Sequence, residues 1–448
     1  MPRHGLRHGC LHSAIVTAVS TTHGQVRGIA GPVHAFLGVP YAAPPTGPLR
    51  FAAPAPPSRW DGERQVTAFG PAAPQGPPAP GVPPLWREAD GADCLAVNVW
   101  TPSPGATGLP VLVWFHGGRW VIGTAGAPQF DGSALAAAGV VVVTVNYRLG
   151  FEGFGHVPGA PDNRGLRDQA AALEWVRDNV AAFGGDPGNV TVFGQSAGAA
   201  SCVLQMGTGL FRRAIAQSIP AGYLAQADAV AAAAALTEAA GKPVAELSPA
   251  EVLALPTPPG AFGPVLDGEV VTGPPESCVR ADVDLVCGFT AREFRGLNIP
   301  QADVRGAAAA FGVDPEPYLS AADPFADLMS DALVRVPTAR VALAHAAAGG
   351  RTWLYEFAWG ESGHGVDVPF TFGVSTGRYA ERLLGTPVPD SFAPLSAALR
   401  ASWTSFAATG DPGWPRFAEA ARTTRRWSDE PADVAFPVAT YDLWAEVE

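Results

Sequence analysis

Two short runs, Val111–Phe115 and Val140–Tyr147, are almost continuously apolar and rich in β-branched residues. Each is too short for a helix and shows no polar alternation, the pattern of strands buried on both faces of a parallel sheet. From Gly165 to Phe183 the spacing changes: Leu166, Ala170, Leu173, Val176, Val180 and Phe183 recur at helical intervals, and Gly184-Gly185 with Pro187 closes the segment. That predicts a helix with a stop signal. Val190–Gly194 predicts another strand, and Ala197–Met206 a helix of small and apolar residues packed directly after it. Strand, helix, strand, helix implies an α/β fold: a doubly wound, mostly parallel central sheet with helices on both faces. Beyond Pro220, Ala225–Ala240 and Val304–Phe311 are helical by propensity, Val283–Phe289 and Thr352–Phe357 are strands, and a helix runs through Ser396–Ala408. Residues 1–23 predict a poorly ordered lead-in, and the proline-dense Phe69–Pro84 an extended loop. With no internal repeat, residues 24–448 are expected to form a single domain.

The composition suits that reading. Hydrophobic residues make up 47% of the 448 and charges only 16%, so a large core can be filled and disorder is excluded. Lys and Arg number 29 against 41 Asp and Glu, a formal net charge of −12, which argues against a nucleic-acid partner. No run of eighteen apolar residues predicts a membrane span, and the histidine-interrupted N-terminus does not read as a signal peptide. Five widely spaced cysteines without a CxxC predict neither a disulfide framework nor a zinc site, and fit a reducing cytoplasm.

The strongest chemical signal is Gly194-Gln195-Ser196-Ala197-Gly198, a G-x-S-x-G between a β-branched strand and a small-residue helix. A serine at such an elbow sits in a strained backbone, and a Cβ two residues to either side would collide across the turn. In enzymes built on this elbow the triad follows the chain order Ser, acid, His. Only His345 and His364 come after Ser196. His345 lies in an alanine-rich helix, where a packed or exposed histidine is the plainer reading, whereas His364 lies in a loop beyond a strand, where catalytic groups are presented. For the acid, Glu293 comes four residues after the Val283–Phe289 strand. Asp267, followed by a glycine, is the alternative and reads equally as a turn. His116-Gly117-Gly118-Arg119-Trp120, directly after a buried strand, is the expected oxyanion loop, with the N–H groups of Gly118, Arg119 and Ala197 as donors.

At the level of motifs the chain resembles the type-B carboxylesterases. The resemblance runs from Gly24-Gln-Val-Arg-Gly to Thr409-Gly-Asp-Pro and includes Asp93-Cys-Leu-Ala-Val-Asn-Val-Trp, Asn146-Tyr-Arg-Leu-Gly and Phe193-Gly-Gln-Ser-Ala-Gly-Ala. It implies an α/β-hydrolase fold with a lid built from insertions around 221–262 and 296–350. It also implies a Ser196, His364 and Glu293 triad acting through an acyl-enzyme on small aryl or alkyl esters. No metal or cofactor is called for. Arg148 and Asp168 match a bracing ion pair, and Trp86 and Trp120 are candidates for the acyl or alcohol site. The same triad would suit carbamates, amides or thioesters. Silent binding proteins of the family lack the nucleophile that this chain keeps. Departures from the family pattern carry expectations of their own. Ala92 stands where a glutamate usually partners the arginine equivalent to Arg50, so Arg50 should lack its ion partner. Ala73 removes a cysteine, so Cys94 should be a free thiol. Phe294 and Ile219 replace glycines. Arg119 stands where glycine, alanine or serine is usual: its side chain either turns away to pair with a carboxylate or enters the pocket and favours anionic acyl groups.

Overall fold

Alternation within a single strand decides how the sheet is covered. In the computed structural model, which describes residues 18–79, 81–295 and 303–444, Val111, Val113 and Phe115 face one apolar layer while Leu112 and Trp114 face the other. Both layers are therefore filled from the same short run, each buried side chain contributing roughly 1.5–3 kcal/mol of transfer free energy. The ten strands of the main sheet are β1 (His34–Pro40), β2 (Ala96–Thr101), β3 (Leu109–Phe115), β4 (Val141–Val145), β5 (Gly185–Gln195), β6 (Arg213–Gln217), β7 (Asp284–Thr290), β8 (Thr352–Phe357), β9 (Thr424–Trp427) and β10 (Ala432–Val434). Their spatial order is β1-β2-β4-β3-β5-β6-β7-β8-β9-β10. Pairing is parallel from β4 through β9, and antiparallel at β1·β2, β2·β4 and β9·β10.

On the face of Val111 and Val113 lie α1 (Arg164–Asn179), which tightens into a 3₁₀ turn through Phe183, and α2 (Ala197–Leu204). The opposite face is covered chiefly by aromatic side chains: Trp114 packs against Phe130, Phe193 and Phe372 at centroid separations of 5.1, 4.8 and 5.0 Å. Such pairs add to area burial when edges meet faces.

The 221–262 segment carries α3 (Gln226–Ala240) and α4 (Pro249–Leu253), which form a small separate core through Leu236, Val244 and Val252 against Phe151. The second expected insertion, 296–350, includes residues 296–302, outside the described residues, and α5 (Val304–Phe311). It stops short of 350, because α6 (Val336–Ala347) is a core helix whose Val341 and Ala342 are buried with Leu285 and Cys287 of β7. The long helix α7 (Phe392–Thr409) covers the aromatic face. The lead-in expected over 1–23 is also shorter at its C-terminal end. Ala18–Ser20 pairs antiparallel with Gln25–Arg27, which in turn pairs with Glu63–Gln65, while residues 1–17 lie outside the described residues.

Arg50 is the clearest correction. It does not lack a partner: Glu152 accepts two hydrogen bonds from its guanidinium, at 2.7 and 3.1 Å, and the carbonyls of Leu247 and Ala245 accept two more. A carboxylate on the short helix Gly150–Phe154, reached by the loop after β4, thus replaces the one absent at Ala92, and the same arginine ties the 221–262 segment to the body. Arg148 and Asp168 form a fully buried bidentate pair at 2.7 and 2.8 Å, bracing the start of that loop against α1.

Candidate active site

The chemistry-bearing residues converge at the carboxyl ends of neighbouring strands: the His116–Trp120 loop after β3, Ser196 after β5, Ser218 after β6, Glu293 after β7 and His364 after β8. In an open α/β sheet this is the edge where ligand crevices form. At the elbow, Ser196 has φ 56° and ψ −124°, and its N–H donates to Gln217 O at 2.8 Å. Both flanking glycines are required by space. A Cβ on Gly194 would lie 2.5 Å from Gly198 backbone atoms, and one on Gly198 only 1.9 Å from Phe115 O. Gly198→Ala is accordingly expected to destabilise the protein by about 1–3 kcal/mol or more through forced backbone displacement. Gly207→Ala, where a Cβ meets nothing within 4 Å, should stay within about 0.5 kcal/mol. Denaturant melts of the two variants compare them directly, and equal stability would contradict the packing argument.

His364 Nδ1 lies 2.5 Å from Glu293 Oε2, and the His364 backbone N–H donates to Glu293 O at 3.0 Å. The carboxylate itself is held from its other side: Oε1 accepts from Ser218 Oγ and from the Thr290 N–H, both at 2.7 Å. This fixes the imidazole with Nδ1–H donating to Glu293 and Nε2 free to accept. Gln195 Nε2 occupies that acceptor at 3.0 Å, while Ser196 Oγ has no hydrogen-bond partner among the described residues. Phe294 stacks parallel to the imidazole, 7° between planes and 6.2 Å between centroids, which gives the side chain in place of the usual glycine a defined position.

Burial alone would depress the pKa of His364, but the Glu293 carboxylate, by charge and hydrogen bond, and the nearby Asp367 outweigh it and raise the pKa above the usual imidazole value. A base must be neutral to accept a proton, so activity should fall as pH drops through this raised pKa, with the acid limb of kcat/KM centred above about 6.5. Phe294→Gly should leave that limb in place, whereas a limb below the ordinary imidazole value would show that Glu293 does not charge-couple to the base.

In the His116–Trp120 loop expected to form the oxyanion hole, Gly118 O accepts from the N–H groups of Val121 and Ile122, at 3.0 and 3.1 Å. Those of Gly118, Arg119 and Ala197 find no acceptor among the described residues. Gly118 has φ 121°, and a Cβ there would lie 2.0 Å from Ile122 O. His116, buried and stacked on Tyr147, has its pKa lowered to about 4 by burial, so it supports the loop as a neutral ring. Beside the loop opens a cleft of about 700 Å³, lined by Arg119, Trp120 and residues of the 221–262 segment, including Val252 and Leu255. Trp120 thus reaches the cleft. Trp86 does not line it: its indole is buried and its N–H donates to Gly91 O at 2.6 Å.

His345 is fully buried, accepting from Thr352 Oγ1 and donating to the Val283 and Arg280 carbonyls, with its pKa lowered by burial. Asp267 Oδ1 accepts the N–H groups of Glu269, Val270 and Val271, which is the turn reading of Asp-Gly. Three contributors escaped sequence reasoning: Gln195, Ser218 and Asp367. Gln195 lies inside the elbow motif itself, Ser218 directly precedes Ile219, and Asp367 follows His364 by three residues. Asp367 is buried, accepts from Gln217 Nε2 and Tyr355 O–H, both at 2.9 Å, and has its pKa pushed up to about 6, first by burial. Ile219, also in place of glycine, is buried, its N–H donating to Thr338 Oγ1 at 3.0 Å. Among the described residues no cluster of His, Cys, Asp or Glu is grouped to hold a metal ion, and Cys94, Cys202, Cys278 and Cys287 are free thiols.

A doubly wound sheet of this strand order, with a serine elbow and a glycine-rich loop at its carboxyl edge, defines an α/β-hydrolase, and the chain is a carboxylic ester hydrolase of that fold. It belongs to the carboxylesterase family, whose profile matches residues 15–310 and 312–433. It is 33% identical to the para-nitrobenzyl esterase of Bacillus subtilis (strain 168), over 91% of this chain and 94% of that protein. Against the fumonisin B1 esterase of Sphingopyxis macrogoltabida identity is also 33%, covering 89% and 84% of the two chains. A solved PNB esterase superposes with a TM-score of 0.85 at 32% identity, covering 95% of this chain and 98% of the other. Among the described residues no helix is long and apolar enough to cross a membrane.

Proposed function

We propose that the chain hydrolyses small aryl or alkyl carboxylic esters by two-step acyl transfer through Ser196, His364 and Glu293. The observation that carries the reading is the imidazole held between a buried carboxylate on Nδ1 and the elbow side of the sheet edge at Nε2. As substrate enters, the Gln195 amide leaves Nε2 and the Ser196 hydroxyl takes its place. Nε2 then accepts the hydroxyl proton while Oγ attacks the carbonyl carbon. The resulting oxyanion is met by the N–H groups of Gly118, Arg119 and Ala197, which need no reorganisation because no acceptor among the described residues competes for them. His364 returns the proton to the leaving alkoxide, and water repeats the sequence on the acyl-enzyme. Glu293 keeps the tautomer and offsets the charge of the imidazolium, and Ser218 and Thr290 keep Glu293 in place. Once Nε2 carries a proton, rotation of the Gln195 amide can offer its oxygen instead.

The same groups would serve carbamates, amides and thioesters, and the para-nitrobenzyl and fumonisin esterase relatives favour the ester reading. A panel of acyl-matched nitrophenyl esters, thioesters, carbamates and anilides, assayed for initial rate, decides among them. Esters turned over faster than the rest support the reading, and a preference for any other class replaces it. The free thiols accord with a cytoplasmic setting.

A further inference from the structure

Arg119 occupies a backbone position that favours glycine over any side chain. Its φ is 55° and that of Trp120 is 59°, two successive non-glycine residues in the left-handed region. Each such residue costs about 1–2 kcal/mol relative to the right-handed region, a cost glycine would avoid. Left-handed residues persist where the surrounding structure holds them there, and they cluster at ligand sites.

Of the two courses open to its side chain, the first is to turn away and pair with a carboxylate. It does not do so. Arg119 is exposed and has neither a salt bridge nor a side-chain hydrogen bond among the described residues, although most arginines of the chain have one. It lines the cleft of about 700 Å³ that opens beside the oxyanion loop. Among the described residues that line the cleft the other charged one is Glu152, neutralised by Arg50 at 2.7 Å. The remaining walls are largely apolar, including Trp120, Val252, Leu255 and Phe262. A lone cation therefore stands on an apolar cleft, one residue from the glycine-rich turn that faces the nucleophile.

We propose that Arg119 is a specificity residue that selects esters bearing a free carboxylate, hemi-esters of dicarboxylic acids, with an apolar remainder seated in the cleft. The proposal rests on the ester-hydrolase reading above and names its substrate class. A planar guanidinium holds a carboxylate through two parallel hydrogen bonds, which a neutral ester group cannot reproduce. Because the side chain hangs from a residue whose N–H is aimed at the oxyanion, the carboxylate must lie within one arginine length of the scissile carbonyl. That geometry corresponds to a short chain such as succinate or glutarate. The chain's overall charge of −12 repels anions at long range, but at about 0.15 M salt this field is screened beyond roughly 8 Å, while a contact pair is not.

The test compares mono-p-nitrophenyl glutarate with the same compound capped as its methyl ester, reading nitrophenolate release at about 0.15 M salt. Wild type is expected to favour the free acid in kcat/KM. Arg119→Gln should lower the ratio of free acid to capped ester at least tenfold, about 1.4 kcal/mol. Arg119→Lys should recover part of it, since an ammonium supplies charge without the planar fork. Any change in the loop backbone enters both rates and cancels in the ratio. A ratio unchanged by Arg119→Gln overturns the proposal. So does a wild type that prefers the capped ester, an outcome that needs no folded variant. If wild type turns over neither compound nor any nitrophenyl ester, the ester-hydrolase reading falls and takes this proposal with it. Turnover of both with an unaltered ratio removes this proposal alone.

Discussion

Replacing Ser196 with alanine is expected to lower kcat by about 10⁶, the scale seen when a triad nucleophile is removed. The fold should survive. Ser196 Oγ has no hydrogen-bond partner among the described residues, and the strained φ of 56° is imposed by the elbow and is the same for alanine. The backbone N–H that donates to Gln217 O is also retained. Turnover should therefore collapse while the free energy of unfolding stays within about 0.5 kcal/mol of wild type. A folded variant keeping most of its rate would place the nucleophile elsewhere.

The second large effect belongs to the acid. Glu293→Gln is expected to lower kcat by about 10⁴, because the acid of a triad acts by holding the histidine tautomer and stabilising the imidazolium. In this site the carboxylate accepts from three directions: His364 Nδ1 on one oxygen, Ser218 Oγ and the Thr290 N–H on the other. An amide has one accepting oxygen, so its NH₂ must face one of these donors or force His364 into the opposite tautomer. Asp267→Asn should be nearly silent in kcat/KM. Its Oδ1 accepts three backbone N–H groups of a turn, a role the asparagine carbonyl keeps. Measuring kcat/KM for both variants on one ester ranks them. A larger loss at Asp267 would reassign the acid.

What could be read in advance follows from how local each signal is. Strands β3, β4 and β5, and the α1 and α2 helices, declare themselves through runs and periodicities of a few residues, and the elbow serine sits in the one context that makes its motif informative. Glu293 and His364 could be singled out because each follows a strand closely. Strand β6, Arg213–Gln217, passed unnoticed because five residues with two alanines and two polar ends carry no period of their own, and only burial between β5 and β7 makes them a strand. The partner of Arg50 could not be read locally at all. Glu152 lies 102 residues away, and nothing near either residue announces the pair. Likewise, Trp86 and Trp120 are alike as sequence, and only the packing of the loops decides that one lines the cleft and the other caps a turn.

The most direct test of an acyl-enzyme on Ser196 is mass spectrometry of the protein after reaction with an organophosphate ester, which arrests at the first covalent step. One adduct per chain, mapped to the peptide containing Ser196 and formed in proportion to lost esterase activity, is the expected result. Complete loss of activity with Ser196 unmodified, or an adduct confined to another serine, would contradict it.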